Sequence, residues 1–180
     1  MRLLTNGIPK SGGHALVKAC ELLGQPTDVS HITFSQGRPE NVTHHLFIKR
    51  DPRNILISWM RFKSIPVTQG MFISTLKRYE QDSEKPFIDL VREYLPWLTA
   101  PDVFVVKFED LISDGGLTIQ AIAQHLSVPY LSDAYDNLPG LTRTWTGKYS
   151  DYTGIWTPEV QAEWRAAGGE DILKEMGYAS

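Results

Sequence analysis

Apolar residues fall along this chain in two patterns. Some form short uninterrupted runs, as in buried strands, and others recur every third or fourth position, as on the covered face of a helix. Leu3-Leu4-Thr5 is a run of the first kind, and Ala15, Leu16, Ala19, Leu22 and Leu23 follow the second. Gly24-Gln25-Pro26-Thr27-Asp28 is a turn cluster. Residues 29–34 then predict a short extended segment, and residues 35–41 a loop. His45-Leu46-Phe47-Ile48-Lys49 predicts a second strand, closed by Arg50-Asp51-Pro52-Arg53-Asn54. Asp51 is placed to cap a helix whose first residue is Pro52, since its carboxylate can accept from the unpaired first-turn N–H groups and proline needs none. Ile55, Leu56, Trp59, Met60 and Phe62 then lie mostly on one face.

Two more helical patterns follow, one through Phe72, Ile73, Leu76 and Tyr79, the other through Phe87, Ile88, Val91, Tyr94, Leu95 and Leu98, with Pro96 ending or kinking it. Asp102-Val103-Phe104-Val105-Val106, short and β-branched, is the strongest strand candidate. A helix through Ile119, Ile122, Ala123 and Leu126 comes next. Residues 129–157 show little periodicity and predict a functional loop. Thr157-Pro158-Glu159 then opens a last helix, Gly168-Gly169 breaks it, and Ile172, Leu173 and Met176 make a short final one. Strands alternating with helices predict an α/β fold, a parallel β-sheet flanked by helices with ligands at the carboxyl ends of the strands.

Composition narrows the function. With 180 residues the chain suits one domain, 1–180, large enough for a sizeable core. Its 18 Lys+Arg and 21 Asp+Glu give a net charge of −3, so a basic site must be local and nucleic acid is not an expected partner. The single Cys20 excludes an internal disulfide and reads as a small core residue. No apolar run approaches the roughly 20 residues needed to cross a bilayer. The expected setting is cytoplasmic, with no membrane partner.

The chemistry concentrates between the first strand and first helix. Ile8-Pro9-Lys10-Ser11-Gly12-Gly13-His14 reads as an anion-binding loop. Gly12 and Gly13 let the backbone approach a ligand, the helix N-terminus offers N–H groups and a positive dipole end, and Lys10 adds a charge. It is not the nucleotide-hydrolase signature, which requires the lysine to follow a second glycine; here Lys10 precedes both. The order Pro9-Lys10-Ser11-Gly12 resembles the 5′-phosphosulfate loop of sulfotransferases that use 3′-phosphoadenosine 5′-phosphosulfate (PAPS). A second segment, from Ile48 to Trp59, resembles that family's 3′-phosphate-binding segment, with Arg50 at the strand end and Ser58 eight positions on. Arginine brings a planar charged fork for phosphate oxygens and serine a short neutral donor.

Three further segments extend the resemblance over nearly the whole chain. Val105 to Leu111 is similar to the family's next strand and acidic turn. Ser30-His31-Ile32-Thr33-Phe34 falls where the family carries a catalytic histidine. Gly147-Lys148-Tyr149-Ser150-Asp151-Tyr152, with Trp156-Thr157-Pro158-Glu159, is similar to the loop that folds over the nucleotide. The chain also departs from the family. Where many relatives place Thr-Thr-Trp after the first glycine, it has Gly13-His14-Ala15, so His14, Trp145 or Tyr149 is left to face adenine. Where Arg-Lys commonly precedes Gly147 it has Trp145-Thr146, leaving Arg143 or Lys148 for that phosphate contact.

The resemblance implies a P-loop-like nucleotide-binding architecture and sulfuryl transfer from PAPS to a hydroxyl or amine on a small molecule or glycan, with no metal. Lys10 and the loop from Ser11 to His14 would hold the sulfate and 5′-phosphate, and His31 would take the acceptor's proton, with His14 its chief rival. His44 and His45 read as structural or exposed, and His125 as a helix-end residue. Phe34, Phe62, Met71 and Phe72 read either as an acceptor pocket or as core. A small-molecule kinase using ATP and Mg²⁺, or a non-catalytic nucleotide-binding domain on the same scaffold, are the competing readings.

Overall fold

In the computed structural model, which describes residues 2–79, 85–130 and 151–178, four strands form one parallel sheet. They are β1 (Leu3–Gly7), β2 (Val29–Ser30), β3 (His44–Lys49) and β4 (Val103–Lys107), in the order β2-β1-β3-β4. The chain divides into two compact units, Met1–Arg50 with Trp97–Lys148, and Asp51–Pro96 with Tyr149–Ser180. No helix among the described residues is long and apolar enough to cross a membrane.

Among its described residues the first unit contains the sheet and the helices α1 (Gly13–Leu22), α5 (Phe108–Ser113) and α6 (Gly115–Leu126). Its core joins Leu16, Ala19 and Cys20 of α1, Leu46 and Ile48 of β3, Val106 of β4, and Leu111, Ile119 and Ile122 of α5 and α6. The α/β architecture and the buried Cys20 are as the sequence predicts. Boundaries move where polar side chains decide them. β1 runs two residues past Thr5, because Asn6 and Gly7 pair with Phe47 and Ile48 of β3 and Asn6 hydrogen-bonds through its side chain. β2 is shorter than 29–34, since Thr33 turns the chain into a 3₁₀ turn at Phe34–Gln36. α5, absent from the periodicity, follows β4 without a loop.

The second unit holds α2 (Pro52–Phe62), α3 (Gln69–Lys77), α4 (Phe87–Arg92), α7 (Pro158–Ala166) and α8 (Gly169–Glu175). Asp51 caps α2 as expected, accepting from Arg53 N at 2.9 Å, and Thr157 caps α7 ahead of Pro158. The carboxylate of Asp51 also holds the Arg53 guanidinium, Nη2 to Oδ2 at 2.6 Å, and Tyr152 stacks on that guanidinium at 4.2 Å. Such pairing and stacking satisfy a charge that burial alone would make costly. The core is aromatic: Trp59 stacks on Tyr79 with centroids 4.3 Å apart, and Phe72 lies beside Trp164. α4 ends before Pro96, which falls in a 3₁₀ turn at Leu95–Leu98. Phe62 is 60 % exposed because α2 ends there and no further turn covers it.

Candidate active site

At the carboxyl end of β1 the chain turns sharply. Ser11 N donates to Ile8 O at 2.9 Å, and Lys10 takes a left-handed φ of 73°. Gly12 follows with φ 109° and serves as the N-cap of α1, which has no side-chain cap and no acidic residue in its first turn. Uncapped N–H groups at a helix start are a site for an anion. Both glycines are required by their neighbours: a Cβ on Gly12 would lie 2.3 Å from the Phe108 ring, and one on Gly13 would lie 2.2 Å from Val29 Cγ2. Ser11 is buried, and its Oγ has no hydrogen-bond partner among the described residues. A buried hydroxyl in that state costs free energy until an acceptor arrives, so the loop fits an anionic oxygen.

Positive charge gathers at the same end of the sheet. Arg50, at the end of β3, is buried, donates from Nη1 to Lys10 O at 3.3 Å, and stacks over Phe108 at 4.4 Å from the ring centroid. Phe108, the first residue of α5, therefore packs against both Gly12 and Arg50, tying the loop to the end of β3. Burial, and then the Arg50 guanidinium, hold the Lys10 ammonium below its ordinary pKa. Lys49 and Lys107 are register partners on adjacent strand ends. Burial lowers the pKa of Lys49, Lys107 lowers it further, and Glu109 and Asp110 oppose the shift. Like charges crowded this way lose self-repulsion when an anion binds between them.

His31 follows β2 directly and is exposed, with Nδ1 2.7 Å from Gly7 O. A carbonyl oxygen can only accept, so Nδ1 carries the hydrogen, which leaves Nε2 as the basic atom of the neutral ring. The segment around His31 is held by Asn6, a residue the sequence reading missed. Its Nδ2 donates to Ile32 O at 2.9 Å, and its Oδ1 accepts from both Ile32 N and Gly7 N, each at 2.9 Å. Trp97 Nε1 donates to the same Ile32 O at 3.0 Å, and Thr5 Oγ1 donates to Asp28 O at 2.6 Å. The available signal was a pair of polar residues closing an otherwise apolar strand.

The structure thus gathers Lys10, Ser11, Gly12, Gly13 and Arg50 at the adjoining ends of β1 and β3, and places His31 against Gly7. His14 is exposed in the first turn of α1. Ser58 is half-buried on α2 and belongs to the second unit, so the geometry above is what the first unit builds by itself. Arg143, Trp145, Gly147, Lys148 and Tyr149 lie outside the described residues. His45 is interior, its ring edge-on to Trp97 at 4.7 Å, and His125, in the last turn of α6, stacks on Phe104 at 4.9 Å. Of the aromatic and Met candidates for an acceptor pocket, Phe72 is core, while Phe34, Phe62 and Met71 are exposed.

No family model and no curated protein matches the chain. Solved structures do. One is mouse sulfotransferase SULT7A1 complexed with PAP, at 13% identity and TM-score 0.72, covering 97% of this chain and 83% of that one. Another is retinol dehydratase in complex with androsterone and inactive cofactor PAP, at 11% identity and TM-score 0.72, covering 97% and 82%. At these identities the likeness establishes the fold: a parallel sheet flanked by helices, the same as in a sulfotransferase.

Proposed function

We propose that this chain, built on the fold of a sulfotransferase, transfers a sulfuryl group from PAPS to an acceptor hydroxyl and releases 3′-phosphoadenosine 5′-phosphate (PAP). The observation that carries the reading is the loop after β1. Lys10, the buried Ser11 Oγ with no hydrogen-bond partner among the described residues, the uncapped start of α1 and the Arg50 guanidinium all meet at the adjoining ends of β1 and β3. PAP is named as the bound molecule in both solved neighbours, which supports the same class of ligand here.

In this reading Lys10 and the loop N–H groups hold the 5′-phosphate and sulfate oxygens, where negative charge grows as the leaving oxygen departs. One such preorganised donor contributes roughly 3–4 kcal/mol to the transition state, by analogy with oxyanion holes. The acceptor oxygen forms its bond to sulfur as the bond from sulfur to the 5′-phosphate oxygen breaks. The electron pair stays with the phosphate, and the hydroxyl proton passes to His31 Nε2. The Gly7 carbonyl keeps His31 Nδ1 protonated and Asn6 fixes the ring's segment, so the basic nitrogen is oriented before substrate arrives. Arg50 and Ser58 keep the 3′-phosphate role that the sequence resemblance implies for them, and Arg143, Gly147 and Lys148 a role over the nucleotide.

Calorimetric titration with PAP, adenosine 5′-phosphate, and ATP with Mg²⁺ tests this. Tight binding that requires the 3′-phosphate and weakens at least tenfold in Arg50→Ala and in Ser58→Ala is expected, about 1.4 kcal/mol or more for each contact. Equal binding of adenosine 5′-phosphate, or preference for ATP with Mg²⁺, would overturn it in favour of a kinase.

A further inference from the structure

Beside His31 lies an open pocket of about 360 Å³ lined by residues 30–32 and 36–39, of which His31, Gln36, Arg38 and Pro39 are exposed. Its polar lining consists of Ser30, His31, Gln36 and Arg38, its side-chain apolar surface comes from Ile32 and Pro39, and none of its lining residues is acidic. The walls are built rather than incidental. Ile32 is held on both backbone atoms by Asn6 and again on its carbonyl by Trp97. The next turn is closed by a reciprocal cap, with Thr33 N donating to Gln36 Oε1 at 2.8 Å and Gln36 N to Thr33 O at 3.2 Å. Phe34 is pinned edge-on to Trp97 at 4.8 Å. Gly37 then takes φ 73°, a left-handed conformation that returns Arg38 to the same cavity. Because Gln36 commits its Oε1 to the cap, its Nε2 protons are what remain as donors.

A cavity edged by a permanently charged guanidinium and an amide donor, with no carboxylate to balance them, suits a ligand rich in acceptors and carrying negative charge. It is unsuited to a wholly apolar molecule, which would leave those donors without partners. We infer that the hydroxyl acceptor bears an anionic group, a carboxylate, sulfate or phosphate ester, that Arg38 holds while the hydroxyl is presented to His31. This rests on the sulfotransferase reading and specifies its acceptor class.

The test has two stages, so that the two readings fail separately. PAP titration comes first, and loss of 3′-phosphate-dependent binding would remove both. With PAP bound normally, turnover with PAPS is compared on matched acceptors, 4-hydroxyphenylacetate against 4-hydroxyphenylacetamide and glucuronate against glucuronamide. The carboxylate member of at least one pair is expected to have a kcat/KM about tenfold higher or more, mainly through KM, as one charge-assisted contact implies. Arg38→Gln should bring that ratio to near one, and Arg38→Lys should keep part of it. Equal use of both members, preference for the amides, a preference that survives Arg38→Gln, or no turnover in either pair would overturn the inference while leaving the nucleotide site standing.

Discussion

The end of β2 and the body of β3 each carry a histidine, and their surroundings give the two imidazoles opposite chemistry. His31 is exposed, with Nδ1 held by the Gly7 carbonyl and the cavity at its side. His45 is fully buried, and neither of its ring nitrogens has a hydrogen-bond partner among the described residues. Burial, and then the charge of Arg38, push its pKa down to about 4. Trp97 serves both: its Nε1 secures Ile32 next to His31, while its ring packs against His45. The contrast teaches that one region spends polar groups on positioning and the other tolerates them as filling, so the two should fail in different assays.

The largest expected effects fall on turnover at the loop and His31. Lys10→Ala should lower kcat by about 10²–10³-fold and His31→Gln by about 10²-fold, each with a melting temperature close to that of the parent chain. Steady-state kinetics beside a thermal melt separates the two readouts, and unfolding without a specific kinetic loss would erase the distinction drawn between the regions.

Gly12→Ala should act on both, because the same position sets the loop and the packing on Phe108. The left-handed φ of 109° and the 2.3 Å approach to that ring together imply a loss of about 2 kcal/mol in urea unfolding. Adding Phe108→Ala should relieve the steric part and leave the backbone part, so a double variant no better than the sum of the singles would show that the ring is not the obstacle.

The last expected effect is absent at neutral pH and appears only on acidification. The unfolded chain protonates His45 near its ordinary pKa of 6.5, while the folded chain resists until about 4. The unfolded state therefore binds more protons between those values, and stability falls as pH drops through that window. His45→Phe removes the titrating ring and should flatten this part of the profile of melting temperature against pH. Identical slopes in the two proteins would mean that His45 is not a source of acid sensitivity.

The reading of the chain before its structure succeeded where the controlling interactions are local. Asp51 with Pro52, and Thr157 with Pro158, mark helix starts through bonds within one turn. The loop around Lys10 was legible for the same reason, since strand, glycines and helix follow one another directly. Asn6 was not, because an asparagine after an apolar run looks like a strand end until Ile32 is brought beside it. Phe108 was hidden similarly: nothing near it in sequence indicates that its ring meets Gly12 and Arg50.

By itself, then, the sequence determined the alternation of strands and helices, the caps, and the placement of Lys10, Ser11 and Arg50 at strand ends, since periodicity and capping act over a few residues. Only the tertiary structure decided which imidazole faces solvent with a fixed tautomer and which is buried with no hydrogen-bond partner among the described residues. It also decided that β1 extends through a buried Asn6 and that Arg38 shares a cavity with His31. Those outcomes depend on contacts such as Asn6 with Ile32, separated by 26 positions, whose geometry exists only once the sheet has formed.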